Sequence, residues 1–145
     1  MMIKNERQYR ISKAQADKFA QTLAQIEQNP SDAGIHPLLR KAEREALRSQ
    51  LESLHGEIRA YEDLRSGGPR VFVSHSFDEL PAALIKARIA AGLSQKDLAE
   101  RLGVKEQQVQ KYEATDYTSA SLERVRAVIR ALGVSVKEEV SLAGR

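Results

Sequence analysis

The chain has 145 residues, of which 41% are apolar, 30% charged and only 5% aromatic, with no tryptophan and no cysteine. Burial must therefore come from Leu, Ile, Val and Ala, in one domain or two small ones. Disulfides, thiol nucleophiles and thiolate metal sites are excluded together. No apolar run approaches the roughly 20 residues of a membrane span, and residues 1–12 (MMIKNERQYRIS) lack the apolar stretch of a signal peptide, so a soluble, cytoplasmic protein is expected. The net charge of +3 is unevenly placed: residues 1–79 hold 12 Lys and Arg against 12 Asp and Glu, whereas residues 80–145 hold 11 against 8. The excess lies wholly in the C-terminal part, the direction expected of a module that binds phosphates.

Residues 1–11 are polar, with Tyr9 and Ile11 on alternate positions, and read as a short strand or an ordered arm. Ser12 with Gln15 forms a capping-box pattern that starts a helix running to about Gln28. Phe19, Leu23 and Ile26 mark its apolar face, Asn29-Pro30 ends it, and residues 31–35 form a loop. A longer helix opens at Pro37, where a missing N–H costs nothing, and runs to about Arg65. Along it Leu47, Leu51, Leu54, Ile58 and Tyr61 follow a 4-3-4-3 spacing, a heptad seam. The two helices are expected to form a hairpin whose seam packs on Phe19, Leu23 and Ile26 and offers a dimerisation or partner-binding face.

Ser66-Gly67-Gly68-Pro69 is the clearest linker. Val71, Phe72 and Val73 then make a brief strand or a hydrophobic plug. Asp78 is the expected N-cap of a helix over Glu79–Ala91, with Leu80, Leu84, Ala87 and Ile89 inward. Two short helices follow. Leu98 and Leu102 share a face of the first, Ser94 and Asp97 cap it, and Gly103 stops it. Val109 and Tyr112 give the second its buried stripe. A small residue (Ala99), a glycine four later and a β-branched residue six after that make the helix-turn-helix spacing. Ser121 caps a last helix over Leu122–Leu132, stopped by Gly133. The tail VSVKEEVSL alternates Val134 and Val136, then Val140 and Leu142, as a short strand does; its partner would be Tyr9–Ile11, Val71–Val73 or the same strand of another subunit.

The run LIKARIAAGLSQKDLAERLGVKEQQVQKYEA resembles the Cro/phage-repressor (XRE) family of helix-turn-helix DNA-binding domains, over about Leu80 to Gly133. One departure stands out: such domains commonly carry an Asn-Gly or similar turn after the residue corresponding to Glu113, and here the segment is ATDYTSAS. The resemblance implies a mainly α chain. With the hairpin over 1–66 and the linker over 67–78 read above, the resemblance adds a lambda-repressor-like bundle with the helix-turn-helix over 79–145, ending in a short strand.

The resemblance also places the second helix of the motif in the major groove. Its base-reading residues would be Glu106, Gln107, Gln108 and Lys111, because Gln pairs with adenine N6/N7, Lys donates to guanine and Glu accepts from cytosine N4. Phosphate contacts would fall to Ser94, Gln95, Lys96 and Lys105, and after the helix to Thr115 and Tyr117. Glu113 reads as structural. His36, His55 and His75 have no metal-ligand spacing, and no nucleophile, base and orienter come together, so neither an enzyme nor a metal or cofactor is expected. The expected partners are double-stranded DNA and a second copy of the chain, acting on its own operon. The alternatives are an antitoxin of the HigA type, with the N-terminal helices binding a toxin, and an interaction adaptor that no longer binds DNA, left open by Glu106 and Asp116.

Overall fold

The computed structural model describes residues 1–28, 34 and 36–142. Among these the chain is mainly helical, with α1 Glu6–Gln28, α2 Pro37–Arg65, α3 Leu80–Ala90, α4 Gln95–Leu102, α5 Glu106–Ala114 and α6 Leu122–Leu132, plus a single 3-10 turn at Phe77–Glu79. It divides into two compact units, Met1–Asp63 and Leu64–Arg145, so Leu64 and Arg65 at the end of α2 belong to the second. The expected Asn29-Pro30 stop and the loop at 31–35, Gly34 apart, lie outside the described residues.

In the first unit α1 begins earlier than the Ser12–Gln15 pattern suggests, and residues 6–11 are helix rather than strand or arm. Asn5 wins as the cap. Its side-chain oxygen accepts from Gln8 N–H at 2.8 Å, while the Gln8 side chain accepts from Lys4 N–H at 2.8 Å. The early start puts Tyr9 on the buried face, where its ring centroid lies 5.2 Å from that of Tyr61 on α2. The Tyr61 hydroxyl donates to Glu6 at 3.0 Å, the N-terminal ammonium pairs with Glu57, and Arg48 pairs with Glu27 at 2.7 Å. The ends of α1 thus meet opposite ends of α2, which makes an antiparallel hairpin. Pro37 occupies the first helical position, and the His36 ring nitrogen Nδ1 accepts from Leu38 N–H at 3.1 Å. Ile58 and Tyr61 are buried, whereas Leu47, Leu51, Leu54, Phe19 and Leu23 are half-buried.

The second unit is built on tight helix ends. Ser94 and Asp97 form a complete capping box at α4, and Ser121 caps α6 by accepting from Arg124 N–H at 3.0 Å. The expected Asp78 cap is not used: residues 77–79 form the 3-10 turn and α3 starts at Leu80 with Pro81 inside its first turn. Helices α3, α4 and α6 close alike. Leu93, Val104 and Val134 donate back to Arg88, Ala99 and Ile129, and the glycine before each (Gly92, Gly103, Gly133) sits at φ near +70°. Leu80, Leu84, Ile85, Ile89, Leu98, Ala99, Val109, Tyr112, Val128 and Leu132 fill the core. Arg101 on α4 donates to the Ala131 carbonyl at 2.8 Å and ties α4 to the end of α6.

No strand forms among the described residues. Residues 69–73 and 134–142 form neither helix nor ladder, and Val140 and Leu142 are 95% and 97% exposed. Tyr9–Ile11, one of the expected pairing partners, is committed to α1. An alternating sequence does not hold a strand without an edge to pair with.

Candidate nucleic-acid interface

Helices α4 and α5 are joined by Gly103, Val104 and Lys105, and Leu98, Ala99 and Val109 are each no more than 2% exposed at their crossing. The methyl-sized Ala99 allows that approach. On the outer side of α5, Glu106, Gln107, Gln110 and Lys111 are exposed and Gln108 is half-buried. Lys105 stands at the N-cap of α5 and makes no side-chain cap there, since an ammonium offers no acceptor. No Lys105 side-chain bond therefore caps the positive end of α5.

Lys105, Gln107, Gln108 and Lys111 line one shallow groove of about 410 Å³ with Val104, Tyr112 and Arg124. The structure thus brings together three of the four residues expected to read bases and one expected to hold phosphate; Glu106 is exposed at the start of α5 outside the groove lining. Arg124 is the member that sequence reasoning missed. It belongs to α6, and no helical period on α5 points to it. Three cations and two amides on an open, apolar-floored groove can bind a polyanion and read acceptors beside it.

Ser94 and Lys96 are exposed at the start of α4. Gln95, Thr115 and Tyr117 sit differently. Gln95 is 5% exposed and its amide Nε2 donates to Glu113 Oε1 at 2.9 Å. Thr115 turns its hydroxyl back to the Lys111 carbonyl at 2.8 Å and meets Ser119 Oγ at 2.7 Å. Tyr117 is buried, its ring stacked on Tyr112 with centroids 5.9 Å apart. Burial, reinforced by the Glu113 charge, pushes its phenol above the ordinary tyrosine range.

Behind the groove lies a buried ion pair that also went unread in the sequence. Arg88 on α3 donates from Nε to Glu113 Oε2 at 2.6 Å, from Nη2 to Glu113 Oε1 at 2.8 Å, and from Nη1 to the Leu93 carbonyl at 2.7 Å. Both side chains are essentially inaccessible. The fork fixes the end of α5 to α3 and to the turn leading into α4. The sequence signal was Arg88 itself, a charge at inward spacing beside Leu84 and Ile85 on an apolar stripe.

Residues 84–138 match a family model described as Helix-turn-helix. That segment is similar to the helix-turn-helix family. The match spans α3 to α6 and so includes both the groove and the Arg88–Glu113 pair, and it supports a DNA-binding regulator of the XRE type. Comparison of the chain with curated proteins and with solved structures finds no match. Among the described residues no helix is long and apolar enough to cross a membrane, and no group of three His, Asp or Glu side chains is placed to hold a metal ion.

The cap of α4 in the helix-turn-helix domain gives a pH test. Asp97 accepts from the Ser94 backbone N–H at 2.9 Å, and this bond, with the Ser94 side chain, holds its carboxyl below the ordinary value of 3.8. A depressed folded-state value stabilises above the unfolded pKa and is lost as pH falls through the folded one. Asp97→Asn should therefore flatten the acid limb of stability below about pH 4. Ser94→Ala should cost about 1 kcal/mol at neutral pH. Thermal melts across the acid range check both; an unchanged acid limb in Asp97→Asn would refute the assignment.

Proposed function

We propose that the chain is a sequence-specific transcriptional regulator that binds DNA as a homodimer and represses its own operon. The observation that carries this reading is the convergence of Lys105, Gln107, Gln108, Lys111 and Arg124 on one open groove at the start of α5, within a helix-turn-helix domain. Helix α5 enters the major groove. Gln107 and Gln108 pair with adenine, Lys111 donates to guanine, and Glu106 accepts from cytosine. Ser94, Lys96, Lys105 and Arg124 take phosphates, while Gln95, Thr115 and Tyr117 support that surface from behind. One short helix reads only a few base pairs, and two copies spaced about one helical turn apart supply the missing specificity.

A second reading rests on the N-terminal unit. Leu47, Leu51 and Leu54, with Phe19 and Leu23, remain half-buried after the hairpin has closed. That seam suits a protein partner, and an antitoxin would use it to hold a toxin while the helix-turn-helix domain represses the operon.

Fluorescence anisotropy on duplex DNA from the gene's upstream region, against a scrambled duplex at two salt concentrations, tests the main reading. Gln107→Ala/Lys111→Ala should lose about tenfold or more of the preference over scramble, each lost base pairing being worth ~1–3 kcal/mol. Arg124→Ala should keep the preference, weaken binding to both duplexes and lower the salt slope by about 1. Wild type without preference for any upstream duplex would remove the support for autorepression. Preserved preference in the double variant would refute α5 as the reading element.

A further inference from the structure

We propose that the tail, residues 134–142, is the homodimer interface: it pairs antiparallel with the same segment of a second copy, centred on Glu138, and covers an apolar groove on each C-terminal unit. This deepens the homodimer part of the reading above and rests on it.

The groove lies within the second unit and measures about 810 Å³. It is lined from 67–74, from α3 and from 132–138, and the lining includes Ala83, Leu84, Ala87, Leu132, Val134 and Val136. The small side chains of α3 leave the space. Val71 and Val73 on one wall are 77% and 72% exposed. Neither 69–73 nor 135–142 makes a backbone hydrogen bond to another described backbone group, so the tail's backbone is open to pairing, with apolar side chains beside it. Open backbone of this kind is completed by adding a strand.

The tail itself specifies which strand. In VSVKEEVSL the even positions carry Val134, Val136, Glu138, Val140 and Leu142; residues 134–138 all line the groove, Val134 and Val136 as their apolar part. A two-fold axis through Glu138 sets Val136 opposite Val140 of the partner subunit and Val134 opposite Leu142 of the partner subunit. On the other face Lys137 meets Glu139 of the partner subunit, twice by symmetry. The partner's Val140 and the partner's Leu142 thereby arrive on the face that looks into the groove. Sliding the register by one residue sets Val136 against Glu139 and turns each apolar set to the wrong face. The cost of the chosen register is a Glu138–Glu138 approach on the axis, which makes a prediction of its own.

Sedimentation equilibrium of the full chain tests this. Val140 is almost fully exposed in the single chain, so Val140→Asp leaves the fold unchanged by circular dichroism and should weaken dimerisation tenfold or more. Lys137→Glu and Glu139→Lys should each weaken it several-fold, since each sets two like-charge pairs face to face. The double exchange Lys137→Glu/Glu139→Lys should restore it, and Glu138→Gln should tighten it. Leu51→Asp on the hairpin is the contrasting variant. If it abolishes the dimer while Val140→Asp and the charge exchanges leave the constant unchanged, the interface is the hairpin: the tail assignment is overturned and the homodimer stands. A wild type that is monomeric at all concentrations, alone and on DNA, overturns both, whereas the anisotropy result for α5 is read independently.

Discussion

Glu113→Ala is expected to destabilise the C-terminal unit by about 3–5 kcal/mol, because it strands a guanidinium in the interior. Arg88 is 2% exposed and directs Nε and Nη2 at the two carboxylate oxygens, with Nη1 on the Leu93 carbonyl. Gln95 adds a third donor to the same carboxylate. Without Glu113 the buried guanidinium loses its counter-ion. The loss measures the stranded charge rather than the worth of the pair. Replacing both partners by apolar side chains of similar volume, Arg88→Met with Glu113→Leu, should therefore recover much of it. Urea unfolding of the three variants decides the matter: a single-site loss below about 1 kcal/mol would contradict the buried geometry. The double variant also isolates a second property. If it folds as stably as wild type but discriminates less between duplexes, the fork serves to hold α5 in register on α3 as well as to satisfy its own charges.

What the sequence made legible were features decided within four or five residues. Ser94 with Asp97, Gly103, Gly133, Ser121 and Pro37 each do a local job that few residue types can do, and the structure uses them as read. Two capping patterns competed at the N-terminus, however. Asn5–Gln8 prevailed over Ser12–Gln15 because an earlier start carries Tyr9 onto Tyr61, 52 positions away, and no local rule weighs that contact. Arg88 and Glu113 lie 25 positions apart on helices whose crossing must be known before either looks paired. Arg124 reaches the groove from α6 for a similar reason. The tail fails in the opposite sense: its alternation was plain, but the edge that would make it a strand is not supplied by the described chain.

Tyr117→Ala is the second large loss expected, at about 3–5 kcal/mol by comparison with other buried aromatic truncations. Its cause lies in how α5 ends. Tyr117 N–H donates to the Tyr112 carbonyl at 2.7 Å and Asp116 N–H to the Glu113 carbonyl at 3.4 Å, the same pair of bonds that closes α3, α4 and α6. Where those three use glycine, α5 has Asp116 at φ 50°, followed by Tyr117 at φ 60°. The departure ATDYTSAS is thus a glycine-type helix stop built without glycine. Left-handed backbone at a residue with a Cβ costs roughly 1–2 kcal/mol, and Tyr117 offsets it by stacking on Tyr112, the hydrophobic contact that accompanies such stops. Removing the ring leaves the strain and a cavity together. Asp116→Gly tests the same account from the other side. It relieves the strain at the cost of a more flexible unfolded chain, for a net gain of about 0.5–1 kcal/mol. Thermal unfolding should move up for Asp116→Gly and steeply down for Tyr117→Ala. Because Asp116 also carries a negative charge just past α5, the proposed reading helix, Asp116→Gly should strengthen binding to specific and scrambled duplexes alike. A stabilised variant with unchanged affinity would mean that the loop's geometry, and not its charge, is what the DNA backbone meets.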